Sequence, residues 1–180
     1  KVYATQIMDV DHYPFPESVG RELYEKAGPF ITDIAWEGLG HDWKAAWFDE
    51  SLMVDLAEYQ HQWFTKALHH LTGTRDWALC MLQAHCVDSA NHHCLGVADP
   101  ASNPDDAALR ERYLTFIEAL HESLDDMLGR IMAQLDDDTV LFVISDHGGL
   151  PGHIRINASQ VLEEAGLLVR EANGDIDWRQ

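Results

Sequence analysis

Two apolar runs separated by one long amphipathic pattern constrain this chain most. Residues 139–145 form a continuous β-branched and aromatic run, Thr-Val-Leu-Phe-Val-Ile-Ser. Residues 77–84, Trp-Ala-Leu-Cys-Met-Leu-Gln-Ala, form a second one. Neither alternates with polar residues, so each reads as a strand buried on both faces, the pattern of a parallel sheet. Between them, Leu109, Tyr113, Phe116, Leu120, Leu124, Met127, Ile131 and Leu135 recur at steps of three and four. That stripe predicts a helix over 105–135 with one buried face. Asn103, Pro104, Asp105 and Asp106 give it a cap, a first-turn proline and acids on the positive end of its dipole. Strand, helix, strand makes a βαβ unit, whose crossover is right-handed and whose strands are parallel. The fold class expected is α/β, a mainly parallel sheet flanked by helices.

The run at 139–145 ends in Asp146, His147, Gly148 and Gly149. Open α/β sheets carry their chemistry at the carboxyl ends of strands. A carboxylate and an imidazole emerging together there can ligate one metal. The two glycines let the backbone turn sharply and leave space above the site.

The loop after 77–84 is predicted to face that turn. It holds His85, Asp88, His92 and His93. Asp88 and His92 are four residues apart, a common reach for two ligands in a turn or short helix. With Asp146 and His147 they make two Asp/His pairs at neighbouring strand ends. Mixed oxygen and nitrogen donors suit zinc, manganese or iron better than calcium. Two pairs imply two divalent ions clamping a phosphoryl group.

The rest of the chain frames this unit. Residues 1–8 read as a strand, 11–16 as a proline-broken loop, and 17–26 as a short helix closed by Gly28 and Pro29. Residues 30–48 hold Trp36, Trp43, Trp47 and Phe48 in an irregular, aromatic-rich excursion. Leu52, Leu56, Tyr59, Trp63, Ala67 and Leu71 predict a helix over 50–71, with Gly73 just past its end. His61, His69 and His70 are read as surface or helix-end residues. A short helix is expected at 158–165, ended by Gly166, then an edge strand at 167–170. The chain is treated as one partial domain over 1–180, with 9–75 as a cap or inserted region and 76–180 as the metal-site portion. It begins at Lys1 in mid-pattern, which suggests a fragment or a processed product.

Composition narrows the function classes. The net charge is −19 over 180 residues. That argues against binding a nucleic-acid backbone or an anionic membrane. Most of these acids, Asp136, Asp137 and Asp138 among them, read as a solvated face or turn. No apolar stretch approaches the roughly 20 residues that span a bilayer. Three cysteines, Cys80, Cys86 and Cys94, are too few and odd in number for a disulfide scaffold. They point to a reducing, cytoplasmic setting. Cys86 and Cys94 read as buried, inert thiols.

The sequence from Ile144 to Gly149, together with Asp88 and His92, resembles two metal-binding signatures of the alkaline phosphatase superfamily. The nearest branch is the type I phosphodiesterase and nucleotide pyrophosphatase group. The stretch from Asp76 to Asp88 has that group's look, as do Asn157 and the run from Glu164 to Leu168. The resemblance covers about residues 76–178. It implies an incomplete alkaline-phosphatase-like fold and a hydrolase of phosphate esters or phosphodiesters with two divalent ions, zinc first, then manganese or iron. Its substrate would be a phosphorylated small molecule. Asp146 and His147 would bind the metal that holds the nucleophile; Asp88 and His92 would bind the metal that polarises the phosphate. The family's Thr or Ser nucleophile is expected upstream of Lys1. Thr5 and Thr32 are the nearest candidates, and neither sits in a strand-to-helix elbow. His153 is a candidate extra ligand, and His153 and Arg155 are candidate substrate contacts.

Two other readings stay open at this level. One is a different reaction on the same superfamily scaffold: a phosphonate hydrolase, a sulfatase or a phosphomutase. The other is a non-enzymatic acidic domain that binds partners through the aromatics between Trp36 and Trp47.

Overall fold

The computed structural model describes residues 14–31, 49–152, 156–171 and 173–177. Among them are five helices: α1 (Ser18–Ala27), α2 (Glu50–Thr74), α3 (Cys86–Ala98), α4 (Ala107–Met132) and α5 (Ala158–Glu164). α4 packs against both α2 and α3, and α1 packs against α2.

The two long helices start as their sequences dictate. Asp49 Oδ1 accepts from the Leu52 amide at 3.0 Å, and Asp106 Oδ1 accepts from the Leu109 amide at 2.9 Å. Each aspartate thereby satisfies one of the amides a helix start leaves unpaired. The cap of α4 is Asp106 rather than Asn103, whose side-chain amide instead donates to the Val97 carbonyl. Arg112 Nη2 donates to Glu50 Oε2 at 2.7 Å, and Ser123 Oγ lies 2.7 Å from His61 Nδ1. Both pairs are offset by 62 residues, so α2 and α4 run in the same direction.

The core lies where α2, α3 and α4 meet. Met53 and Ala57 come from α2, Cys86, Ala90, Cys94 and Ala98 from α3, and Tyr113, Phe116, Ile117 and Leu120 from α4. The α3 residues recur every fourth position and are all small, which lets that helix approach α4 closely. The stripe expected on α4 is the buried one. On α2 the buried face is instead Met53, Ala57, Gln60, His61, Thr65 and Ala67, turned from the predicted line. His61 is therefore not a surface residue: it is wholly buried. Gly73 falls inside α2, which runs on to Thr74.

α1 is held to α2 by polar contacts. Trp63 Nε1 donates to the Gly28 carbonyl at 2.8 Å, and the Tyr59 hydroxyl donates to the Pro29 carbonyl. The chain turns there through Gly28, at φ +91°, which an L side chain tolerates poorly. Glu22 of α1 accepts from both Arg75 and His70. The Arg75 guanidinium first, then His70, holds the Glu22 carboxyl down at about 2.

The expected parallel sheet is absent among the described residues. Among the described residues no ladder forms, and one isolated antiparallel bridge joins Arg170 to Ile176. That bridge is all that remains of the edge strand expected at 167–170. Residues 77–84 and 139–145 form no regular structure, and no strand partner for either lies among the described residues. Leu79 is 84%, Met81 91%, Phe142 80% and Ile144 87% exposed. The physical reason is partnership. A buried parallel strand needs hydrogen-bond partners along its edges and cover on both faces. Neither run has these among the described residues. A helix satisfies its own backbone and needs one apolar face only. The α/β reading of 76–145 is thus replaced by α3 and α4 joined to two segments without regular structure, and α3 occupies most of what was expected to be a loop. The expected strand at 1–8 and the aromatic residues from Trp36 to Phe48 lie outside the described residues, as do Thr5 and Thr32.

Candidate metal centre

Asp88 sits in the first turn of α3, and His92 follows one turn later. Asp88 Oδ2 lies 3.4 Å from His92 Nε2 and 3.0 Å from His85 Nε2. His85 is the residue at the N-cap, and its ring makes no capping bond. Asp88 is 30% exposed, while His85 and His92 are open to solvent. Helical spacing places Asn91, Leu95, Asp88 and His92 in that order around α3 from the edge of the buried stripe of Cys86, Ala90, Cys94 and Ala98, and Leu95 itself packs against the core.

The second pair is built within a turn. Asp146 Oδ2 lies 3.5 Å from His147 Nε2, and Asp146 Oδ1 accepts from the His147 amide at 3.0 Å. The Ser145 hydroxyl donates to the His147 carbonyl at 2.6 Å and pins the turn. His147 Nδ1 lies 3.3 Å from the Gly148 carbonyl. A carbonyl only accepts, so this contact favours the tautomer with its proton on Nδ1, which leaves the Nε2 lone pair for a ligand.

Gly149 brings this turn against α3. A Cβ there would sit 3.3 Å from Leu95 Cδ2 and 3.4 Å from Asn91 Nδ2. The backbone thus meets Asn91 and Leu95 of the helix that carries Asp88 and His92. Asp146 is three residues upstream, within roughly 10 Å of extended chain.

Both pairs suit a divalent cation by chemistry and spacing. Two donors each about 2.1 Å from one tetrahedral ion stand roughly 3.4 Å apart. The observed separations of 3.4 and 3.5 Å match that, one carboxylate and one imidazole in each pair. The two pairs do not converge into one cluster. Among the described residues no group of three or more His, Cys, Asp or Glu side chains is arranged to hold a metal ion. His153 and Arg155 lie outside the described residues. Cys86 and Cys94 are buried, as expected. Burial pushes their thiols up, to about 11 and about 12, so they remain protonated.

The chain matches the family model of type I phosphodiesterase / nucleotide pyrophosphatase over residues 15–179. It belongs to that family. The family lies within the alkaline phosphatase superfamily, cleaves phosphoesters and is generally dependent on divalent metal ions. No curated protein and no solved structure matches the chain. The match extends well upstream of residue 76, where the sequence resemblance began, and takes in α1 and α2. Among the described residues no helix is long and apolar enough to cross a membrane.

Proposed function

We propose that this chain carries metal-binding elements of a divalent-metal-dependent phosphodiesterase acting on a phosphorylated small molecule. The observation that supports this reading is the placement of the two Asp/His pairs. One lies on α3, and the other lies in a turn that meets Asn91 and Leu95 of the same helix. Asp88 and His92 would hold one ion, Asp146 and His147 the other. Zinc fits this donor set best, with manganese and iron next. Such ions, when bound, offset the charge of the phosphoryl group and activate the attacking oxygen.

The chain's own residues orient the donors. α3 fixes Asp88 and His92 one turn apart. The Gly148 carbonyl favours one His147 tautomer, and the Ser145 hydroxyl closes the turn. The proposal includes no nucleophile from the described residues. Hydrolysis of a nitrophenyl phosphodiester by the 180-residue chain with zinc is expected at background.

Calorimetry and elemental analysis of the chain titrated with zinc test the reading. Asp88→Ala and Asp146→Ala are each expected to lower zinc stoichiometry or weaken affinity at least tenfold. Unchanged stoichiometry and affinity in both variants would discard it. Brisk phosphodiester turnover by the chain would overturn the statement about the nucleophile.

A further inference from the structure

We infer that His85 is a positioning residue for the Asp88 carboxylate, so that the proposed metal pair on α3 is a supported ligand set. The inference rests on the reading of Asp88 and His92 as ligands and adds a residue to it. His85 Nε2 stands 3.0 Å from Asp88 Oδ2, an ion-pair contact between an imidazole and a carboxylate. His92 Nε2 stands 3.4 Å from the same oxygen, at ligand-to-ligand rather than hydrogen-bond distance. The two imidazoles flank one carboxylate from opposite ends of about two helical turns, three residues before it and four after.

The alternative account of this geometry is helix capping, and the contacts argue against it. His85 occupies the N-cap position but its ring caps no amide of α3. An Asp at the first turn is stabilised by the helix dipole wherever its side chain points. The ring of His85 is directed at that carboxylate instead. A carboxylate ligand held by a neighbouring donor keeps one rotamer, and removing such a donor typically costs 10- to 100-fold in metal affinity. The role inferred for His85 is to steady Asp88, not to act as a third ligand. That agrees with the absence of a three-donor cluster among the described residues.

The test is zinc affinity of the full chain by chelator competition, with the visible spectrum of the cobalt(II)-loaded chain and the metal-free melting temperature alongside. His85→Ala is expected to weaken zinc binding about 10- to 100-fold. It should shift the cobalt spectrum while leaving the metal-free melting temperature unchanged. His85→Gln keeps a donor and should recover most of the affinity. Asp88→Ala and His92→Ala remove ligands and should lose the site altogether. If His85→Ala binds zinc as the parent does while both ligand variants fail, the role of His85 is overturned and the pair stands. If the ligand variants also bind as the parent does, the pair and the inference fall together. If His85→Ala lowers affinity only in proportion to a lower melting temperature, its role is structural and the inference fails.

Discussion

His61 shows how much one side chain decides in this helical core. Its ring is wholly buried and bridges the three packed helices: Nδ1 meets Ser123 Oγ of α4 at 2.7 Å, and Nε2 meets Cys86 Sγ at the start of α3 at 3.1 Å. A neutral imidazole is one donor and one acceptor, so both nitrogens are satisfied without charge. Burial first, and then Arg130, pushes its pKa below the ordinary value, while the Ser123 contact works in the other direction. The unfolded ring takes a proton below about pH 6.5, and the folded ring resists it. The stability this group contributes is therefore present above that pH and lost as pH falls through the folded pKa. From this residue alone, unfolding free energy should drop by up to about 1.4 kcal/mol per pH unit below pH 6.5. Urea melts of the chain and of His61→Gln should diverge in slope over that window; parallel pH profiles would contradict the assignment. Ser123→Ala leaves a ring nitrogen without its partner and should cost about 1–3 kcal/mol at neutral pH. Leu120, also wholly buried, should cost about 2–5 kcal/mol on truncation to alanine. A Leu120→Ala melt within 0.5 kcal/mol of the parent, on the order of a surface change, would mean that α4 is not packed as described.

Elements differ in how much of them the sequence reveals. α4 was legible because Tyr113, Phe116, Leu120, Met127 and Ile131 repeat with helical period and Asp106 opens the run. α3 was not read as a helix, although Cys86, Ala90, Cys94 and Ala98 repeat every fourth residue. Small residues carry little hydrophobic weight, and Asp88, His92 and His93 between them make the segment look like a polar loop. The runs at 77–84 and 139–145 misled for another reason. Periodicity reports how a segment prefers to be buried, not whether a partner is there to bury it. Within the candidate site, the closeness of the side chains inside each pair follows from spacing, since four residues on a helix or two adjacent residues are local geometry. The relation between the pairs is tertiary, and Gly149 carries it. A valine there would drive its Cβ to 3.3 Å from Leu95 Cδ2, with two further methyl groups to place. Gly149→Val should lift the turn from α3 while leaving the helix intact. Amide shifts of Asn91 and Leu95 should move in that variant, with far-ultraviolet circular dichroism unchanged. Unmoved shifts at both residues would show that the turn does not rest there.

At the scale of the whole molecule, two features oppose each other. The chain carries a net charge of −19, which keeps copies apart through mutual repulsion. It also exposes a run of apolar side chains, with Val140 73%, Phe142 80%, Val143 67%, Ile144 87% and Leu150 91% open to solvent. Residues such as these, close together in a segment that forms no regular structure, favour association. Which feature wins depends on salt, because repulsion between solvated charges is screened and apolar burial is not. The screening length falls from about 10 Å at 0.1 M ionic strength to about 3 Å at 1 M. Sedimentation velocity at those two salt concentrations should therefore show larger species at the higher one. Phe142→Ser combined with Ile144→Ser should suppress that shift, because the substitutions remove the apolar area without altering net charge. A size distribution that ignores salt would show that the segment is covered in solution. Growth that persists in the double variant would place the adhesive surface elsewhere, with Leu79 and Met81 of the other apolar run the next positions to change.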